Sequence, residues 1–208
     1  MQTGRRSFIS LTLAGLALPA AARAQTATAT PAQTAAWETP RTIGNTDAKA
    51  TVEEWMSLTC THCADFAQHT FPDVKKNLID TGKVQWVFKD FPLDQVALKA
   101  AMVARALPPD QYEPFIIALF STQDRWAFAH GVNPAKALWD MAALAGMNRA
   151  TFDAAFNDTQ LQNWILQNQK MAEDKYKIDA TPTFVINGKV YPGEMAYSEF
   201  VKLLPGIS

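Results

Sequence analysis

Cysteine is scarce in this chain: two among 208 residues, Cys60 and Cys63. A four-thiolate zinc site is thereby excluded, and the three histidines, His62, His69 and His130, would have to complete any mixed one. No excess of charge of either sign exists, with nineteen Lys and Arg against twenty Asp and Glu. That balance removes the electrostatic case for nucleic acid or an anionic membrane surface as a partner. No apolar run of 18 residues occurs beyond the N-terminus, so no transmembrane helix is expected. No internal repeat is visible. What is present is globular: 48% of residues are hydrophobic, and six Trp and twelve Phe are available to fill a core. The length suits one domain, or one domain carrying an insertion.

Residues 1–24 have the build of a cleaved signal peptide. Arg5-Arg6 precede an apolar run from Phe8 to Leu18, and Ala22-Arg23-Ala24 sets small residues at −3 and −1, predicting cleavage after Ala24. Gly4-Arg5-Arg6-Ser7-Phe8-Ile9 also resembles a twin-arginine export signal. An ordinary secretory signal that happens to hold two arginines fits equally, and the two routes stay open. Either implies export to the bacterial periplasm, where a disulfide can persist. Residues 25–40, rich in Ala, Thr and Gln, read as a flexible linker.

Beyond the linker the chain alternates and then becomes helical. Arg41-Thr42-Ile43 is a candidate short edge strand, and Thr51–Ser57 is a β-rich, buried-type strand. A helix follows to about Thr70, where Pro72 should kink or restart it, and Lys83–Lys89 is a second strand. Strand, helix and strand within about 40 residues make a βαβ unit with parallel strands. Leu93–Ile178 is almost wholly helical in signal, with Asn133-Pro134 and Asp158 as helix starts. Strands return at Thr183–Ile186 and Lys189–Tyr191 around an Asn187-Gly188 hairpin turn, and an amphipathic helix carrying Tyr197, Phe200, Val201 and Leu204 ends the chain.

The chemistry concentrates at Cys60-Thr61-His62-Cys63, where a strand hands over to a helix. The unpaired N–H groups and dipole of a helix start stabilise a thiolate at Cys60, and Cys63 lies one turn in on the same face, within reach of a disulfide. Thiol–disulfide exchange is therefore the leading reading. Half of a zinc site is the rival, short of ligands, and a purely structural two-residue loop would staple almost nothing. His62 between the cysteines can bias Cys60 further toward thiolate; no role follows for His69 or His130.

Cys60-Thr61-His62-Cys63 after a strand, with Thr181-Pro182-Thr183-Phe184 before another, resembles the thioredoxin superfamily, and the helical block between them resembles its DsbA-type branch. The resemblance covers about residues 41–204. It implies an α/β class, a thioredoxin fold (βαβ … ββα) interrupted by an inserted helical domain, with 41–92 and 179–208 in the thioredoxin-like domain and 93–178 as the insertion. It implies that Pro182 is cis and faces a Cys60–Cys63 redox disulfide. Thr181 would offer backbone groups to an incoming peptide beside Pro182 and Thr61. It also implies a buried acid six residues before the first cysteine, here Glu54, as the proton partner of Cys63. Adjacent Glu53 leaves open which of the two points inward. Lys89 is either the partner of the inward acid or a surface lysine.

By the same resemblance the chain is a periplasmic oxidoreductase introducing disulfides into reduced or unfolded exported proteins. A DsbB-like membrane quinone reductase would reoxidise it. No bound cofactor or metal is implied, and a monomer is the default. One departure is Thr61, where well-known oxidases of the branch have proline. It leaves the redox potential open, and with it a periplasmic reductase or isomerase as the alternative. A thioredoxin-fold chaperone or a metal-handling protein is the alternative from another class.

Overall fold

The computed structural model describes residues 27–204, 206 and 207. The expected signal peptide, its cleavage site and the first two residues of the expected linker lie outside them.

The centre is a five-stranded sheet of order β1-β3-β2-β4-β5, built from β1 (Arg41–Ile43), β2 (Ala50–Met56), β3 (Val84–Asp90), β4 (Thr183–Ile186) and β5 (Lys189–Pro192). β2 and β3 run parallel, Glu54 opposite Phe88 and Met56 opposite Asp90, and the other pairings are antiparallel. The parallel pair needs a crossover. It is supplied by α2 (Thr61–His69), α3 (Phe71–Val74) and a π-helical turn, Lys75–Ile79. Pro72, which has no N–H to give, sits in the first turn of α3, where none is required. The β4–β5 turn uses Asn187 and Gly188 at φ 48° and 83°, the left-handed pair a tight hairpin requires.

Between β3 and β4 run six helices: α4 (Gln95–Arg105), α5 (Pro109–Ser121), α6 (Gln123–Trp126), α7 (Pro134–Leu144), α8 (Arg149–Phe156) and α9 (Thr159–Tyr176). Their starts follow local chemistry. Asp94, Asn133, Asn148 and Asp158 each cap a helix by accepting N–H bonds from its first turn. The chain closes with α10 (Tyr197–Phe200) and a 3-10 turn, Val201–Leu203, shorter than the expected helix.

Both faces of the sheet are covered. On one, Phe66 of α2 packs on Trp86, Phe184 and Phe200 with ring centroids 4.7–6.2 Å apart. Burying such a ring contributes about 1.5–3 kcal/mol, and here it fixes the helix that carries the cysteines. On the other face Trp55 and Val185 meet Ala172 and Ile178 at the end of α9.

Part of the expected linker is a helix. α1 (Pro31–Trp37) has a full capping box, Thr30 with Gln33, and buries Thr34 and Trp37. The Thr34 hydroxyl donates to Asp158 at 2.5 Å, and the Trp37 carbonyl accepts from buried Arg105. Composition pointed to irregular chain, but the cap and two tertiary bonds outweigh it.

Candidate active site

The site begins where β2 ends. Ser57–Thr59 form a turn held by side-chain and backbone groups from the helical block. The Thr59 hydroxyl donates to Asp94 at 2.7 Å, the Leu93 N–H donates to the Ser57 hydroxyl, and the buried Gln123 amide donates to the carbonyls of Leu58 (2.8 Å) and Cys60 (3.0 Å). Gln123 carried no signal in the sequence, because nothing local marks a helical glutamine that reaches a distant loop.

Cys60 is the N-cap of α2 and has no conventional capping side chain. Its sulfur therefore sits at the open end of the helix, where backbone N–H groups are unpaired. Both cysteines are free thiols and both are buried, Cys60 at 8% exposure and Cys63 at 0%. Their acidities diverge. The Cys60 thiol is lowered to about 5, chiefly because the Cys63 thiol donates to its sulfur. Burial works against this, while the approach of Thr181 and the N–H groups of Cys63 and His62 add to it. Cys63 is pushed well above the ordinary thiol value by burial and by the neighbouring Cys60, with Glu54 adding a smaller repulsion. Two chemically identical residues become a stable thiolate and a reluctant one.

The facing wall is Thr181-Pro182, joined by a cis peptide bond. In the protonated form the Cys60 thiol donates to the Thr181 carbonyl at 3.2 Å across 121 positions of chain. Among the described residues the buried Thr181 hydroxyl has no hydrogen-bond partner. Cys60, Cys63, Thr181 and Pro182 are thus brought together. Thr61 stands exposed at the first position of α2, beside them in the chain.

Of the two acids, Glu54 is the buried one, at 2% exposure, and its carboxylate accepts the Trp86 indole N–H at 3.0 Å. Burial raises it to about 8, against which the indole bond acts weakly. Lys89 pairs with Glu53 instead, at 3.8 Å, and lies 5.6 Å from the Trp55 ring centroid. The reading of Lys89 as partner of the inward acid is therefore corrected. In the parallel register Glu54 stands opposite Phe88, so Lys89 shares the face of Glu53 and Trp55.

His62 is exposed, with Nδ1 3.1 Å from Glu194. Its pKa is raised, first by that bond and charge, and further by Cys60 and Asp65. Attraction between imidazolium and thiolate is mutual, so it also favours the ionised Cys60. His69 and His130 are exposed, in the last turn of α2 and in the loop before α7. Among the described residues, the His, Cys, Asp or Glu cluster able to hold a metal ion is His62, Asp65 and Glu194, all exposed, and neither cysteine belongs to it.

A dithiol of divided acidity at a helix start, opposed by a cis-proline at a strand start on a shared sheet, defines a thioredoxin-fold dithiol protein. A family model described as Thioredoxin matches residues 36–205, and the chain belongs to that family. Within it the chain is DsbA-like. It is 29% identical over 193 residues to the thiol:disulfide interchange protein DsbA of Burkholderia cepacia, covering 90% of this chain and 87% of that one. The crystal structure of α-DsbA1 from Wolbachia pipientis superposes with a TM-score of 0.75 at 29% identity, over 81% of this chain and 90% of that one. A Rickettsia felis relative named as a protein-disulfide oxidoreductase is 29% identical over 147 residues, 70% of this chain and 52% of its own. The chain spans about half the length of that group of curated relatives.

Proposed function

We propose that this protein is a thiol–disulfide oxidoreductase that introduces disulfides into reduced or unfolded proteins exported to the periplasm. The observation that carries the reading is the placement of the Cys60 sulfur between the N-terminus of α2 and the Thr181 carbonyl, with its acidity drawn far from that of Cys63.

The steps follow from that polarity. A substrate thiolate attacks the Cys60 sulfur of the Cys60–Cys63 disulfide. A substrate–Cys60 bond forms, the Cys60–Cys63 bond breaks, and its electron pair leaves on Cys63. That sulfur holds a negative charge poorly, and Glu54, protonated up to about pH 8, is the acid that supplies its proton. A second substrate thiolate then attacks the substrate sulfur of the mixed disulfide and expels Cys60 as thiolate. A low pKa and good leaving-group behaviour go together, which is why an oxidant benefits from this helix end. The substrate chain is oxidised by two electrons and the protein is left as the dithiol. Pro182 and Thr181 form the wall that meets the substrate, with Thr61 at its edge.

Reoxidation requires an electron acceptor, assigned here to a DsbB-like membrane quinone reductase. The protein itself carries no cofactor or metal in this scheme and works as a monomer. Residues 41–92 and 179–208 form the working domain, and 93–178 are an insertion that steadies the cysteine loop through Asp94 and Gln123. Export through a signal cleaved after Ala24 completes the reading.

Equilibration with glutathione tests it. An oxidase should come to balance well above the potential of about −270 mV typical of thioredoxin, and should speed the oxidative refolding of a reduced substrate. A value at or below the thioredoxin level would make it a reductase.

A further inference from the structure

Glu194, which no sequence motif singled out, lies against the cysteine helix. Its Oε1 is 3.1 Å from His62 Nδ1, although 132 positions separate the two residues. The backbone on either side of it is fastened. The Gly193 N–H donates to the Pro182 carbonyl at 2.8 Å, and the Thr70 hydroxyl at the end of α2 donates to the Met195 carbonyl at 2.9 Å. Gly193 takes φ 88°, a conformation open to glycine, as the chain leaves β5. Residues 193–195 therefore bridge the cis-proline wall and α2, and they deliver one carboxylate to the histidine between the cysteines.

We propose that Glu194 is a positioning residue for the Cys60 thiolate: its carboxylate holds the His62 ring through Nδ1 at the start of α2, two residues from Cys60. The proposal rests on the redox reading above and deepens it. Three groups act on the imidazole: Glu194 from the β5–α10 loop and Asp65 one turn further along α2, both within 4.8 Å of it, and Cys60 through its charge. All three favour the cation, Glu194 most.

The arrangement makes an unusual demand on pH. Where His62 is cationic with or without its partner, the Glu194 charge opposes the thiolate slightly. At higher pH that carboxylate is what retains the imidazolium, and the thiolate gains from it. Replacing Glu194 should therefore cost oxidising strength at neutral pH, a cost that requires His62, and at low pH should leave the balance unchanged or slightly raised.

The experiment compares the parent protein with Glu194→Gln, His62→Gln and the double variant. NMR follows the His62 ring titration in the reduced and oxidised forms, and the equilibrium constant with glutathione is measured at pH 5.5 and pH 7. The expected result is a His62 titration displaced to lower pH in Glu194→Gln, and at pH 7 a loss of oxidising strength of about two- to fivefold, the scale of a partly exposed ion pair. That loss vanishes or reverses at pH 5.5 and is absent in the His62→Gln background. An unchanged His62 titration, or an equal shift at both pH values, overturns the proposal. A parent protein that fails to exchange with glutathione would instead sink the proposed function, while the His62 titration would still decide the placement of Glu194.

Discussion

Two buried carboxyl groups lie on neighbouring strands and face opposite fates. Glu54 on β2 and Asp90 on β3 are 2% and 5% exposed, and the β2–β3 register sets Asp90 two residues beyond the position opposite Glu54. Asp90 is fully matched. The Arg105 guanidinium donates to one oxygen and the Tyr112 hydroxyl to the other at 3.3 Å. Arg105 in turn donates to the carbonyls of Trp37 and Thr39 and covers the Trp164 ring. Among the described residues, Glu54 has the Trp86 indole and no cation. A matched carboxylate ties α4, α5 and the segment after α1 to the sheet. An unmatched one holds a proton it can surrender near neutral pH. The same residue chemistry serves architecture at Asp90 and, under the proposed function, proton transfer at Glu54, and the chief difference is the Arg105 guanidinium.

The largest effect should come from unmatching Asp90. Arg105→Met strips a buried carboxylate of its ion-pair partner, at a cost of about 3–5 kcal/mol, read as a lower midpoint in denaturant. Pairing it with Asp90→Asn should recover most of that loss. Exchange activity per folded molecule should be retained in both, because neither residue touches the cysteines.

Glu54→Gln should act the other way. Release of Cys63 slows by about 10²-fold, the lower end for general acid catalysis, in stopped-flow decay of the mixed disulfide at pH 7. Stability should rise. The native carboxyl keeps its proton to about pH 8 while the unfolded one loses it near 4.5, so the unfolded state binds fewer protons in that window and stability falls as pH rises through it. Glu54→Gln removes that slope, and its advantage over the parent should grow to a few kcal/mol (roughly, after relaxation) by pH 8. A parent whose stability is flat from pH 5 to 8 would show that Glu54 is ionised and the comparison with Asp90 is false.

A smaller effect is expected at the indole. Trp86→Phe takes away the one donor that lowers Glu54, so its carboxyl should titrate higher still, seen by NMR, at a cost of about 1 kcal/mol for the lost bond. The smallest belongs to Lys89→Met, whose half-buried pair with Glu53 is worth at most about 1 kcal/mol and whose loss should leave exchange untouched.

The cysteine handover, the hairpin at Asn187-Gly188 and the caps at Asp158 and Asn133 were legible because each is a local pattern with a local cause. The choice between Glu53 and Glu54 was not, since both faces of this sheet are covered and alternation alone cannot name the one that faces α2. The register of β2 on β3 supplies that, and it also moves Lys89 to Glu53. Residues 31–37 did carry a capping box, Thr30 with Gln33, but Ala- and Thr-rich composition hid it. Gln123 and Glu194 act through tertiary placement, which leaves no mark at the level of spacing.

The central claim is that the fold divides one pair of thiols into a stable thiolate and a buried resolving thiol. Alkylation of the reduced protein against pH, with each cysteine resolved by mass, tests it directly. The account predicts half-maximal modification of Cys60 near pH 5 and a Cys63 that stays unmodified past pH 9. Half-maximal modification of Cys60 near an ordinary thiol value of about 8.5, or Cys63 reacting first, would contradict it.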